Sequence, residues 1–102
     1  MRIETPRRLD GGLIAELGRY YRRHLLREVM PFWEARARDV ECGGYLTCFD
    51  RTGRVTDTDK YVWFQGRQLY MFAALYRQVE RRSDWLDLAR WGRDFLLRHA
   101  YA

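Results

Sequence analysis

The chain has 102 residues, 47% hydrophobic and 16% aromatic, which is enough for one domain with a modest core and too apolar for a disordered chain. The net charge is +5, but arginines are scattered along the whole length with Asp or Glu close by. That lacks the concentrated basic face of a nucleic-acid binder, so no nucleic-acid partner is expected. No apolar run approaches the roughly 18 residues of a membrane span, and no apolar leader follows Met1, so no membrane partner and a cytoplasmic location are expected.

Residues 1–9 read as a flexible basic lead-in. Asp10 supplies a capping carboxylate for a helix beginning near Gly11 or Gly12. Leu13, Leu17, Tyr20, Tyr21, His24, Leu25 and Val29 then recur at three and four, while Glu16, Arg19, Arg22, Arg23 and Arg27 face the other way. This predicts a half-exposed helix that either ends near Met30-Pro31 or continues with a kink through Phe32 and Trp33. The period changes after Asp39. Gly43-Gly44 is punctuation, Gly44 to Phe49 is rich in strand formers, Asp50-Arg51-Thr52-Gly53 is a turn signal, and Arg54-Val55-Thr56 returns. A small β-hairpin with its turn near Thr52-Gly53 is expected. Cys42 and Cys48 lack the spacing of a metal or redox pair and read as small buried thiols in a reducing compartment.

Tyr61 to Tyr76, YVWFQGRQLYMFAALY, is expected to be a helix with almost no polar side, hence buried all round, with Asp57, Thr58 and Asp59 offering caps. Lys60 reads as a surface residue or an anchor for the helix start. Gly66 inside the helix suggests a close approach by a neighbouring element. A third helix is predicted from Ser83 or Asp84 as N-cap. Trp85, Leu88, Ala89, Gly92, Phe95, Leu96 and His99 form its inner face, and Arg90, Arg93, Asp94 and Arg98 its outer one.

The order is thus amphipathic helix, hairpin, apolar helix, amphipathic helix. Two outer helices cannot cover every side of the inner one. The expectation is therefore that residues 10–102 are the N-terminal part of a larger helical protein. The alternative is a complete small domain that forms a homodimer through its bare apolar face.

Arg67 is the candidate functional residue. A guanidinium in the middle of an apolar helix must meet an anion or a strongly polar group. Either it forms an internal ion pair beneath Trp63, or it holds a sugar-sized ligand stacked on that indole. His24 and His99 read as core or boundary histidines, and Asp50 and Asp57 as turn and cap residues. No His/Cys/Asp/Glu cluster has metal spacing and no phosphate-cradling glycine loop is present, so neither metal nor cofactor is expected. The chemistry of a complete enzyme is not contained in this stretch.

Several segments together carry a family resemblance: Phe32-Trp33, Glu41-Cys42-Gly43-Gly44-Tyr45, Asp50-Arg51-Thr52-Gly53, and above all Lys60-Tyr61-Val62-Trp63-Phe64-Gln65-Gly66-Arg67-Gln68, with Leu75-Tyr76-Arg77 and Asp94 to His99 beyond. From about Leu17 to His99 the chain resembles the N-terminal part of the N-acylglucosamine 2-epimerase family. The resemblance implies an (α/α)6 barrel of alternating outer and inner helices. It implies a small-molecule sugar substrate whose C2 proton is removed and returned, giving the epimer and interconverting N-acyl-D-glucosamine and N-acyl-D-mannosamine. Cellobiose epimerases, aldose–ketose isomerases and a non-catalytic helical module are the alternatives. It implies that Arg67 holds substrate oxygens and the developing enediolate, that Trp63 lines the same pocket, and that the proton-shuttling histidines lie on later helices, so that this stretch alone is inactive.

Overall fold

The computed structural model of the chain describes residues 10–100; the basic lead-in over residues 1–9 lies outside them. Two compact units divide after Pro31.

In the first unit, α1 spans Gly11–His24, and the Asp10 carboxylate accepts from the Leu13 N–H at 2.8 Å, satisfying one of the four free donors of the first turn. Leu13, Leu17 and Tyr20 are half-buried while Glu16, Arg19, Arg22 and Arg23 are exposed, as the periodicity predicts. His24 is not on the inner side. It is exposed, and its Nδ1 lies 2.6 Å from Glu28 one turn on. At Leu25–Val29 the helix widens into a π turn, and it resumes as α2 over Met30–Arg36. The cause is Pro31. It has no N–H to give, and its ring presses on the carbonyl four residues back, at Arg27. Arg27 lies within the π turn, whose looser hydrogen-bond ring makes room. The chain therefore continues through Phe32 and Trp33.

The second unit is organised around the loop 37–46. Gly43 and Gly44 adopt φ of +83° and +71°, and a Cβ on Gly44 would stand 2.9 Å from both Gln65 Oε1 and the Phe95 ring. Asp39 holds the loop from within. Its Oδ1 accepts from the Glu41 and Cys42 N–H groups, and its Oδ2 lies 2.6 Å from Lys60 Nζ. Lys60 is thus not a free surface lysine. It is a largely buried partner of a buried aspartate. Cys42 is exposed and Cys48 half-buried, and both are free thiols; neither sits in the core, because Asp39 turns the loop outward at Val40–Cys42.

β1 (Cys48–Phe49) and β2 (Val55–Asp57) form the expected antiparallel hairpin, shorter than its sequence suggests, with an irregular register at Cys48/Phe49. The Asp50 carboxylate accepts from Thr52 N, Thr52 Oγ1 and Arg54 N, and Gly53 takes φ of +86°. Asp57 accepts from Asp59 N and caps no helix, because the next helix begins too far along the chain.

That helix is α3, Val62–Gln78, with Tyr61 at its N-cap and no side-chain cap bond. Residues 79–82 turn the chain into α4, Ser83–His99, whose N-cap is Arg82 rather than Ser83. Arg82 is held instead by Asp84 and by Glu34, and the Glu34 carboxylate also accepts from Trp85 Nε1. Trp85, Leu88, Ala89 and Gly92 of α4 are buried, with Phe72 and Leu75 of α3 and Tyr45 of the loop. His99 is exposed, with its ring 4.7 Å from that of Phe95. Tyr45 is the pin of this core. Its hydroxyl donates to the Leu88 carbonyl, its ring fills the space a Cβ on Gly92 would need, and burial pushes its phenol well above the usual range.

α3 is not buried all round. Gln65, Gln68, Phe72 and Leu75 face inward, while Tyr61, Val62, Trp63, Arg67 and Tyr70 face out. Among the described residues of this unit, the helix packs chiefly on α4, and one packed side leaves the other open. Gly66 has no neighbour within 4 Å of the position a Cβ would take, so it answers no close approach here.

Candidate functional site

The first half of α3 places side chains at helical spacing along one edge of an open cleft. Phe64, Arg67, Gln68 and Met71 follow the i, i+3, i+4, i+7 stripe. Thr47 and Cys48 face them from the hairpin, and Trp33 closes one side from α2. Trp33 is held edge-on to Phe49 at 5.5 Å, and Phe32 meets the same ring at 5.7 Å, so the wall rests on an aromatic cluster. The cleft encloses about 320 Å³, at the lower end of the range of small-molecule sites.

Arg67 is exposed, not sunk in the core, and no carboxylate among the described residues pairs with it. The internal ion pair allowed by the sequence is therefore absent among those residues. The cation and carboxylate that do meet in the interior are Lys60 and Asp39. The Arg67 guanidinium stands 5.6 Å from the Trp63 ring, a cation–π arrangement that holds the fork near the cleft. Trp63 itself is 59% exposed and does not line the cleft. It stacks on Phe64, ring centres 3.8 Å apart, and Phe64 presents the aromatic surface.

The two glutamines of α3 differ sharply. Gln65 is fully buried and its amide is fully paired with the backbone of Tyr45, through Oε1 to N at 2.8 Å and Nε2 to O at 2.9 Å. Gln68 is 9% exposed, and its Nε2 has no hydrogen-bond partner among the described residues. Neither residue stands out in the sequence as a site residue. Two carboxamides three residues apart on an otherwise apolar helix were the available signal, because buried amides need partners.

Asp39, which is not part of the cleft lining, carries opposing influences. Burial alone would raise its carboxyl; the Lys60 ammonium and the Cys42 and Glu41 N–H groups outweigh this and hold it below its ordinary value. This group braces the loop and does not reach the cleft. His24 and His99 are also absent from the lining.

The model of the N-acylglucosamine 2-epimerase (GlcNAc 2-epimerase) family matches residues 44–102. The chain belongs to this family. The N-acylglucosamine 2-epimerase of Mus musculus is 51% identical over 77 residues, covering 74% of this chain and 18% of the relative. The Homo sapiens and Bos taurus proteins of the same name are each 49% identical over the same length. The chain thus spans about a fifth of the length of these relatives. Most of the residues that carry the resemblance serve the fold. Gly43, Gly44, Tyr45, Lys60 and Gln65 build the loop and its contact with α3, while Phe64, Arg67 and Gln68 open onto the cleft.

Proposed function

We propose that residues 10–102 are the N-terminal part of an (α/α)6-barrel sugar 2-epimerase that interconverts N-acyl-D-glucosamine and N-acyl-D-mannosamine. The names and identities of the relatives support the chemistry. The exposed apolar side of α3 supports enclosure by further helices.

The observation that carries the reading is Arg67 at the cleft, a fixed cation with no carboxylate partner among the described residues. In the open-chain sugar, a base removes the C2 proton and the electron pair moves into an enediolate, placing negative charge on oxygen. A guanidinium beside that oxygen stabilises the charge as it forms. Return of a proton to the opposite face of C2 gives the epimer. The acid and the base come from residues outside this chain, so residues 10–102 alone turn nothing over. Phe64 offers an aromatic face to the sugar ring, and Trp63, stacked on Phe64, backs it.

The test uses the full-length protein that carries this chain, given N-acetylglucosamine in deuterium oxide, with N-acetylmannosamine and C2 deuterium as readouts. Arg67→Ala should lower kcat by about a hundredfold or more with an unchanged melting temperature. Persistent turnover in that variant would remove Arg67 from the chemistry. Turnover of cellobiose or of a free aldose to a ketose, with N-acetylglucosamine untouched, would move the substrate within the family.

A further inference from the structure

Gln68 lines the cleft, is nine-tenths buried, and its Nε2 is buried without a partner among the described residues. A buried amide in that state is destabilising, and a folded chain rarely keeps one without a use for it. One helical turn earlier, Gln65 shows what a structural glutamine looks like on this helix, with both ends of its amide bonded. We propose that Gln68 is a substrate-binding residue, donating from its carboxamide to a neutral acceptor oxygen of the sugar, a hydroxyl or the N-acyl carbonyl. The inference rests on the epimerase reading above.

The division of labour follows from charge. Arg67 and Gln68 are successive residues opening onto one cleft, one cationic and one neutral. The cation answers the oxygen that gains charge during the reaction. A neutral amide holds equally well an oxygen whose charge does not change. A half-turn about the terminal torsion of Gln68 exchanges Nε2 and Oε1, and this torsion is soft, so either end can be offered to a ligand. Binding the ground state and the transition state alike is an effect on KM, not on kcat.

The experiment compares Gln68→Met and Gln68→Glu with the wild type in the full-length protein. Methionine keeps the length and removes both hydrogen-bonding ends; glutamate keeps an acceptor and removes the donor. Both should raise KM for N-acetylglucosamine about tenfold, the worth of one hydrogen bond, with kcat within about twofold. Gln68→Met should melt no lower than the wild type, because it removes an unpaired polar group. A KM unchanged in either folded variant overturns the assignment. So does failure of both variants to fold, which makes Gln68 structural. If only Gln68→Met fails to fold, the KM of Gln68→Glu decides. A wild type without turnover on any sugar removes the epimerase reading and this inference with it, whereas turnover with an unchanged KM in the variants removes this inference alone.

Discussion

Gln65 pairs with the backbone of Tyr45 as one β-strand pairs with the next, its amide accepting from the Tyr45 N–H and donating to the Tyr45 carbonyl. A helix side chain thus completes the hydrogen bonding of Tyr45, whose other neighbour is its antiparallel bridge partner Arg38. Gly44 lies against the same amide, and no larger residue fits beside it.

Replacing Gln65 by Leu should therefore strand two buried backbone groups at once. At about 1–3 kcal/mol for each orphaned group, the full-length protein should lose about 3 kcal/mol of stability by urea unfolding. A loss within error of zero would mean that water reaches the Tyr45 backbone.

Two glycines should respond in opposite directions. A Cβ on Gly92 would collide with the Tyr45 hydroxyl, so Gly92→Ala should destabilise by about 1–3 kcal/mol through overpacking. Gly66 has open space at the same position, so in residues 10–102 Gly66→Ala should gain about 1 kcal/mol of helix propensity. The same change in the full-length protein reports enclosure. If further helices cover this face closely, the gain there turns into a loss.

The Lys60–Asp39 pair predicts an acid limb in the stability profile. The folded Asp39 carboxyl titrates below its ordinary 3.8. Its contribution is complete above the unfolded value and is lost as pH falls through the folded one. Asp50 and Asp84 are also lowered and act in the same direction, so the part due to Asp39 is the difference between the wild type and Asp39→Asn in urea midpoints measured from neutral to acid pH. Lys60→Met strands a buried carboxylate and should destabilise by about 3 kcal/mol at neutral pH, with a penalty that shrinks below about pH 4.

Cys48 lines the cleft whereas Cys42 does not, and both are free. A sugar in the cleft should slow iodoacetamide labelling of Cys48 several-fold and leave Cys42 unchanged, as read by peptide mass spectrometry. Equal rates at both thiols with saturating sugar would place the ligand elsewhere.

The helices and the hairpin were legible because they rest on local rules. The three- and four-residue spacing of Leu13, Leu17 and Tyr20, the Asp10 cap and the Asp50–Gly53 turn act over a few residues, and each appears where the pattern puts it. Contacts between distant segments were not legible. Asp39 with Lys60, Gln65 with Tyr45, and Tyr45 against Gly92 join positions that no periodicity links. Arg67 stood out because a cation on an apolar helix violates the pattern. Gln68 did not, because a neutral amide violates it only mildly. His24 and His99 show that position on a helix face is not the same as burial. Both rings lie on the inner side of the sequence pattern, yet both stand exposed.

The contrast between Trp63, 59% exposed, and Trp85, fully buried, gives the chain its own optical gauge. An indole in water emits at longer wavelength than one in an apolar setting. Enclosure of α3 by the further helices proposed above should shift the colour of Trp63 and leave that of Trp85 alone. With Trp63 replaced by Phe as a reference, assembly around α3 could be followed by fluorescence without any attached dye.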